Sequence, residues 1–372
     1  MFLALKEMRR AKVRFGLLIA AIGLLVFLIL FQQSLQNGLL TSFVGGIRNQ
    51  SAPVLVYSVD GQRFIQGSVI RPDLEQLVRE SDQIGAIGRI GQGTFTAMGT
   101  EGTADLSLFG YEIEGLGSPS EILDGRMPVG PGEGVISDVD TATGFAIGTT
   151  VTLLPGGTEV LIVGSARDVQ LNAGPTLFVQ YPTFVDAVAS TNPDAGDPLP
   201  NVLAIRPAVG ISDAEAAAAI NALSSDLDAL TRSAAADLTP GVAEVRQSFQ
   251  IIFGLYAIVV PCVTGLFFLI VTFQKSRALT LLRALGATPR RLIGSLLLQA
   301  TMIIAAGYLL GTALYTPISQ QQLGGIALRF ETQAVIGWAI ALMVLGLGSA
   351  LIAARRVLAV DPADATTSGA GL

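Results

Sequence analysis

Gln274–Arg291 reads QKSRALTLLRALGATPRR, a basic stretch between two long apolar runs. It carries Lys275, Arg277, Arg283, Arg290 and Arg291 and no acid. If the flanking runs cross a bilayer, a short connection this rich in cations lies on the cytoplasmic side. Leu279, Leu282, Arg283 and Gly286 fall at helical spacing, and Gly286 and Pro289 break the pattern before the next apolar run begins. Two readings follow: a helix lying beneath the membrane and offered to a partner, or a solvated basic loop that only sets topology. Position alone leaves both open.

Outward from this stretch the chain is largely lipid-soluble. Phe249–Phe273 precedes it and holds no charge; Leu292–Tyr315 and Ala334–Ala354 follow, equally uncharged, and each is long enough to cross about 30 Å of hydrocarbon. Phe15–Phe31 is another such run, introduced by Lys6, Arg9, Arg10, Lys12 and Arg14. Too long for the apolar core of a signal peptide and followed by FQQSLQNG, it is read as a retained span. With 51% hydrophobic and 14% charged residues the composition is that of a membrane protein. The expected fold has four transmembrane α-helices, at 15–35, 248–273, 292–315 and 334–354, with a large mixed α/β (α+β) extracytoplasmic domain, 36–247, inserted between helices 1 and 2. The connecting pieces are an N-terminal segment 1–14, the loop 274–291, an external loop 316–333 and a tail 355–372.

Charge sets the orientation. The three segments assigned to the cytoplasm hold twelve of the 23 Lys and Arg, but only Glu7, Asp361 and Asp364 of the 29 acids. Both termini are therefore expected inside a cell (inner) membrane, with the domain outside. Gly307 and Gly311 form a small-xxx-small pair that suits close helix packing, within the chain or across a dimer.

The domain reads as short strands and helices. Pro53–Val59 predicts a strand; Asp73–Glu80, entered through Pro72, a helix; Val151–Gly164 a hairpin turning at Gly156 and Gly157; TLFVQY and NVLAIRP two more strands. Ser212 and Glu215 make a capping-box pattern ahead of an alanine-rich run, so a helix is expected over Ser212–Leu230. GRIGQGT (Gly88–Thr94) reads as turns, and the carboxylate pairs Asp138/Asp140 and Glu112/Glu114 as solvated faces rather than acid–base machinery.

Several functions are excluded. The chain has no His, and its single Cys262 sits in an apolar run beside Pro261, which removes zinc sites and disulfide frameworks. No Gly-x-x-x-x-Gly-Lys-Ser/Thr occurs, so the chain is not itself an ATPase. The only lysines, Lys6, Lys12 and Lys275, fall on the cytoplasmic side, which excludes an external Ser/Lys enzyme. The spans carry no ionisable interior residue for an ion relay.

Three segments carry a family resemblance. Val271–Ala300 is similar to a loop with an R-x-LGA step, here Arg283, Leu285, Gly286 and Ala287, and a Gln-Ala at Gln299 opening the next span. The tail Ala353–Ala365 resembles an ending with DP-x-x-A at Asp361, Pro362 and Ala365, and Leu123–Leu153 resembles an external core with a Gly-Arg step and a GE-x-V-I-S strand. Together they make the chain look like the permease subunit of FtsX/MacB-type ABC transporters, with a MacB-like external domain and an FtsX-like transmembrane domain. Gln274 and Ala278 stand where that family commonly places Glu.

The resemblance implies a non-catalytic subunit working by mechanotransmission. A second permease subunit, the same or different, would pair with this one. A separate ABC ATPase, binding ATP and Mg, would dock on the coupling loop through Arg277, Leu281, Leu282, Arg283, Leu285, Gly286, Ala287, Arg290 and Arg291; no cofactor is expected in this chain. The work would be export or extraction of a lipid, lipoprotein, peptide or drug, with an extracytoplasmic adaptor or substrate protein as a further partner. Two alternatives stay open: an FtsX-like regulator that activates a cell-wall hydrolase, and a membrane-anchored binding domain without an ATPase.

Overall fold

The computed structural model describes residues 12–274, 288–323 and 325–358. In chain order these form α1 (Lys12–Arg48), β1 (Val54–Ser58), α2 (Pro72–Arg79), β2 (Ile84–Gly99), β3 (Gly102–Tyr111), β4 (Ile122–Gly125), β5 (Glu133–Ser137), β6 (Thr150–Leu154), β7 (Thr158–Ala166) and β8 (Thr176–Gln180). Then come α3 (Tyr181–Thr191), β9 (Val202–Pro207), α4 (Asp213–Leu223), β10 (Leu227–Thr231), α5 (Arg232–Asp237), α6 (Val242–Gln274), α7 (Pro289–Tyr315), β11 (Gln322–Leu323), β12 (Ile326–Ala327) and α8 (Thr332–Leu358).

The chain divides into two units. The membrane unit comprises Met1–Gln36, Gln247–Gln321 and Leu328–Leu372, and the α/β unit Asn37–Arg246 with Gln322–Ala327. Placing the β11–β12 hairpin in the α/β unit departs from the sequence reading, which kept all of 316–333 apart from the domain. Gly38 of α1 explains it: a Cβ there would stand 2.5 Å from the Ala327 carbonyl oxygen, so hairpin and helix are in backbone contact.

In the membrane unit, α1, α6, α7 and α8 are each long and apolar enough to cross a bilayer. Small residues set their packing. A Cβ on Gly307 would meet Ile22 at 2.6 Å, and one on Gly311 the Gly23 carbonyl oxygen at 2.5 Å. The Gly307/Gly311 pair is therefore a seam between α7 and α1 of one chain, the first of its two readings. Gly346 likewise lets α8 close on Ile304 of α7, where a Cβ would come within 2.5 Å. Pro261 lies inside α6, which continues through it, and Thr264 turns its hydroxyl back onto the Val260 carbonyl at 2.7 Å. Ser34 and the Arg329 backbone exchange two hydrogen bonds (3.1 and 3.0 Å), and the Tyr315 hydroxyl donates to the Arg329 carbonyl at 2.9 Å.

The α/β unit is built on one mixed sheet of ten strands in the order β10-β1-β9-β2-β3-β8-β5-β7-β4, with β6 pairing β2 and β7. β3–β8 and β5–β7 are parallel, and the remaining pairs antiparallel. The period of two sorts the strands' side chains. Val54 and Val56 of β1 join Leu74 and Val78 of α2 and Ala217 and Ile220 of α4 on one face. Leu55 and Tyr57 join a second cluster that contains Leu40, Val44 and Ile47 from the end of α1.

Two expectations fail here. Gly88–Thr94 is not a set of turns but the middle of β2, which pairs with β3 along the strand from Ile90 to Gly99. Its glycines serve packing: Gly91 lies opposite Gly110 of β3, and Cβ atoms there would meet the Phe184 ring at 2.2 Å and Phe184 Cβ at 2.4 Å. The helix expected over Ser212–Leu230 has its capping box, with Glu215 accepting from the Ser212 N–H at 2.9 Å, but ends at Leu223. Ser224, Ser225 and Asp226 break it, and Leu227 and Ala229 alternate inward as β10 at the edge of the sheet.

Candidate functional site

The helix that begins at Lys12 does not stop where its apolar run does. Leu40, Val44 and Ile47 continue it at helical spacing and are buried in the core of the α/β unit, so one element of 37 residues, about 55 Å long, serves both cores. α6 starts in the same way, at Val242, ahead of the expected span. The candidate site is the set of contacts, all within the α/β unit, that hold Asn37–Arg48 and Val242–Arg246, the parts of these two helices that belong to it.

The first is a bridge. Asp237, closing α5, accepts on a single oxygen, Oδ1, from Arg48 Nη2 at 2.8 Å and from Arg246 Nη2 at 2.7 Å. Arg48 ends α1 and Arg246 lies in the first turns of α6, so one carboxylate joins both helices. All three side chains are about two-fifths exposed, which limits the contribution of each ion pair to about 1 kcal/mol or less; their value lies in geometry.

The second is a clamp. The segment 168–173 lies along the last turns of α1: Ala173 N–H donates to Ser42 O (2.8 Å), Asn172 N–H to Phe43 O (3.1 Å), and Gly46 N–H to Gln170 O (2.7 Å). Asn49 Nδ2 adds a bond to Asp168 O at 2.6 Å. The approach requires glycine, because a Cβ on Gly45 would stand 2.4 Å from Asp168 O. Asp168, Asn172 and Ala173 hold positive φ of 53°, 54° and 57°, at a cost of about 1–2 kcal/mol each, which the clamp's hydrogen bonds offset.

The third is a buried carboxylate beside the clamp. Asp140, on the turn after β5, accepts from Gln170 Nε2 at 2.9 Å through Oδ1, while Oδ2 is buried with no hydrogen-bond partner among the described residues. Its residue is 5% exposed, which corrects the reading of Asp138/Asp140 as a solvated pair; Glu112 and Glu114 are exposed as expected. Burial pushes the Asp140 pKa up to about 7; hydrogen bonds from Gln170 and the Thr176 backbone counter it, and the Asp138 charge adds to it. The neighbouring Val139 carbonyl accepts from Gln322 Nε2 of the β11–β12 hairpin at 3.1 Å. Asp140 thus stands between the hairpin and the clamp.

Of the residues singled out in the sequence, Arg277, Leu281, Leu282, Arg283, Leu285, Gly286 and Ala287 lie outside the described residues. Arg290 is exposed in the first turn of α7, and Arg291 follows it there. Asp237, Asp140, Gly45 and Gly46 escaped the sequence reading. Only the glycines gave a signal: two adjacent glycines in a helical run cost about 1 kcal/mol each, and such a pair marks close approach. Among the described residues no group of His, Cys, Asp and Glu could hold a metal ion.

Four helices long and apolar enough to cross a bilayer, with a mixed α/β unit inserted after the first, define a multi-pass membrane protein. Residues 250–362 match the family model described as the FtsX-like permease C-terminal domain. Over that segment the chain is similar to FtsX-like permeases. It is 23% identical over 368 residues to an uncharacterized ABC transporter permease of Mycobacterium tuberculosis, covering 98% of this chain and 99% of that one. It is 22% identical over 379 aligned positions to a putative hemin transport system permease protein HrtB of Staphylococcus haemolyticus, with the same coverage. The periplasmic region of MacB from Actinobacillus actinomycetemcomitans aligns with 50% of this chain and 92% of its own at 13% identity and a TM-score of 0.36. The extracellular domain of the transporter YknZ from Gram-positive bacteria aligns with 48% of this chain and 99% of its own, at 14% and 0.32.

Proposed function

We propose that this chain is a permease subunit of an ABC transporter that transmits force: a separate ABC ATPase docks beneath the membrane on Gln274–Arg291, and its ATP- and Mg-dependent closure moves the α/β domain on the far side. The observation that carries this reading is α1, one unbroken helix whose apolar run packs among the spans and whose last turns are core residues of the domain. Leu40, Val44 and Ile47 at its end pack with the sheet inside that domain, and the reading is that the stroke reaches the sheet through them. The termini lie in the cytoplasm of a cell membrane and the domain outside, as the charge distribution favours, and two permease subunits pair around the ATPase.

Leu281, Leu282 and Leu285 fill an apolar groove on the ATPase, and Arg277, Arg283, Arg290 and Arg291 hydrogen-bond to its carboxylates or carbonyls, with Gly286 and Ala287 allowing close approach. Cargo is extracted or exported from the outer face without passing through charged spans. That a relative is named a putative hemin transport system permease supports adding hemin to lipids, lipoproteins, peptides and drugs as candidate cargo. The test is co-purification with an ABC ATPase followed by Leu285→Asp. The substitution should abolish stimulation of that ATPase while insertion and domain melting stay unchanged; undiminished stimulation refutes the reading.

A further inference from the structure

The two helices joined by Asp237 on the domain side are also joined on the loop side. Arg14 of α1 donates from Nη1 to Oε1 of Gln274, the last described residue of α6. Its guanidinium lies over the Phe267 ring, 5.7 Å from the centroid, and Phe267 meets Phe15 edge-on at 6.3 Å. Phe267 and Gln274 are seven residues apart, two turns along one face of α6, so a single planar cation holds both. Arg14 Nη2 has no hydrogen-bond partner among the described residues; Gln274 and the ring are what fix the side chain.

We propose that Arg14 is a positioning residue for the coupling loop: it holds Gln274, the first residue of that segment, against α1. This rests on the reading of Gln274–Arg291 as the ATPase-docking segment. A stroke delivered to the loop acts covalently on α6 and α7, but α1 is reached only through side-chain contacts. On the domain side Arg48 and Arg246 share Asp237, and on the loop side Arg14 holds Gln274. Within the membrane unit the Arg14–Gln274 contact joins α1 to α6, so that a displacement of the loop is shared by both helices instead of being lost as sliding of one past the other. A glutamine acceptor suits the place. It binds the guanidinium without cancelling its charge, leaving the basic loop net positive toward a partner.

The experiment uses the full chain in lipid nanodiscs, with the ATPase that co-purifies with it, and compares Arg14→Ala, Gln274→Ala, the double variant and Leu285→Asp. Two quantities are read: the rate of trypsin cleavage within 274–291, and the permease-stimulated ATPase rate. Each single alanine variant should speed cleavage and lower stimulation by about tenfold, the loss of one charge-assisted hydrogen bond. The double variant should go no further than either single, because the two groups act as one contact. Additive effects, or no effect of the singles, overturn the proposal. If Arg14→Ala fails to insert, Gln274→Ala alone decides, since it leaves α1 intact. Leu285→Asp separates the two ideas: it should remove stimulation with cleavage unchanged. If stimulation survives it, the docking reading falls, while the cleavage rates still decide whether Arg14 fixes the loop.

Discussion

Replacing Asp140 by Asn should flatten the pH dependence of the α/β unit's stability. The native carboxyl has a pKa of about 7, raised by burial from an ordinary value of 3.8. Between those values the folded domain holds a proton that the unfolded chain has released. Stability from this group is therefore full below about pH 4, falls as pH rises toward 7, and is level above. The slope is about 1.36 kcal/mol per pH unit, so between pH 5 and pH 8 the wild type should lose about 2.7 kcal/mol that the Asp140→Asn variant does not, since only the two units up to pH 7 count. For a domain of this size that corresponds to about 8 °C in Tm. Asn keeps an acceptor for Gln170 and carries no charge, so the variant should match the wild type at pH 5 and melt higher at pH 8. The assay is thermal unfolding of the full chain in detergent, read as the wild-type-minus-variant difference. Taking the difference cancels acids such as Glu133, whose pKa is lowered to about 2, with Arg126 the main cause, and whose contribution runs in the opposite direction at lower pH. Equal pH slopes in both proteins would refute the reasoning.

Two further substitutions probe the helix fastenings. Gly45→Ala places a Cβ about 2.4 Å from Asp168 O and should cost about 1–3 kcal/mol, seen as a lower Tm and faster hydrogen exchange at Gly46 and Ala173. Asp237→Asn removes the shared carboxylate charge between Arg48 and Arg246; stability should change by no more than about 2 kcal/mol, while stimulation of the ATPase falls, and unchanged stimulation would confine Asp237 to a structural role.

What the sequence determined by itself was whatever depends on local composition. Uncharged runs of membrane length, the cations of Met1–Arg14 and Gln274–Arg291, and the missing His and phosphate loop need no tertiary contact to be read, because lipid and water sort residues one by one. The capping box at Ser212 was legible for the same reason, its bonds spanning three residues. The end of that helix at Leu223 was not, since a neighbouring strand, β1, recruits Leu227–Thr231 into the sheet. Nor was the role of Gly88–Thr94, which the Phe184 ring decides from nearly a hundred residues away. The candidate site belongs wholly to this second kind: Asp237 meets Arg48 across 189 positions, Asp140 meets Gln170 across 30, and Arg14 meets Gln274 across 260. Such pairs leave no periodic trace in a single chain. Only the tertiary structure shows that α1 is at once a span and a core helix of the domain.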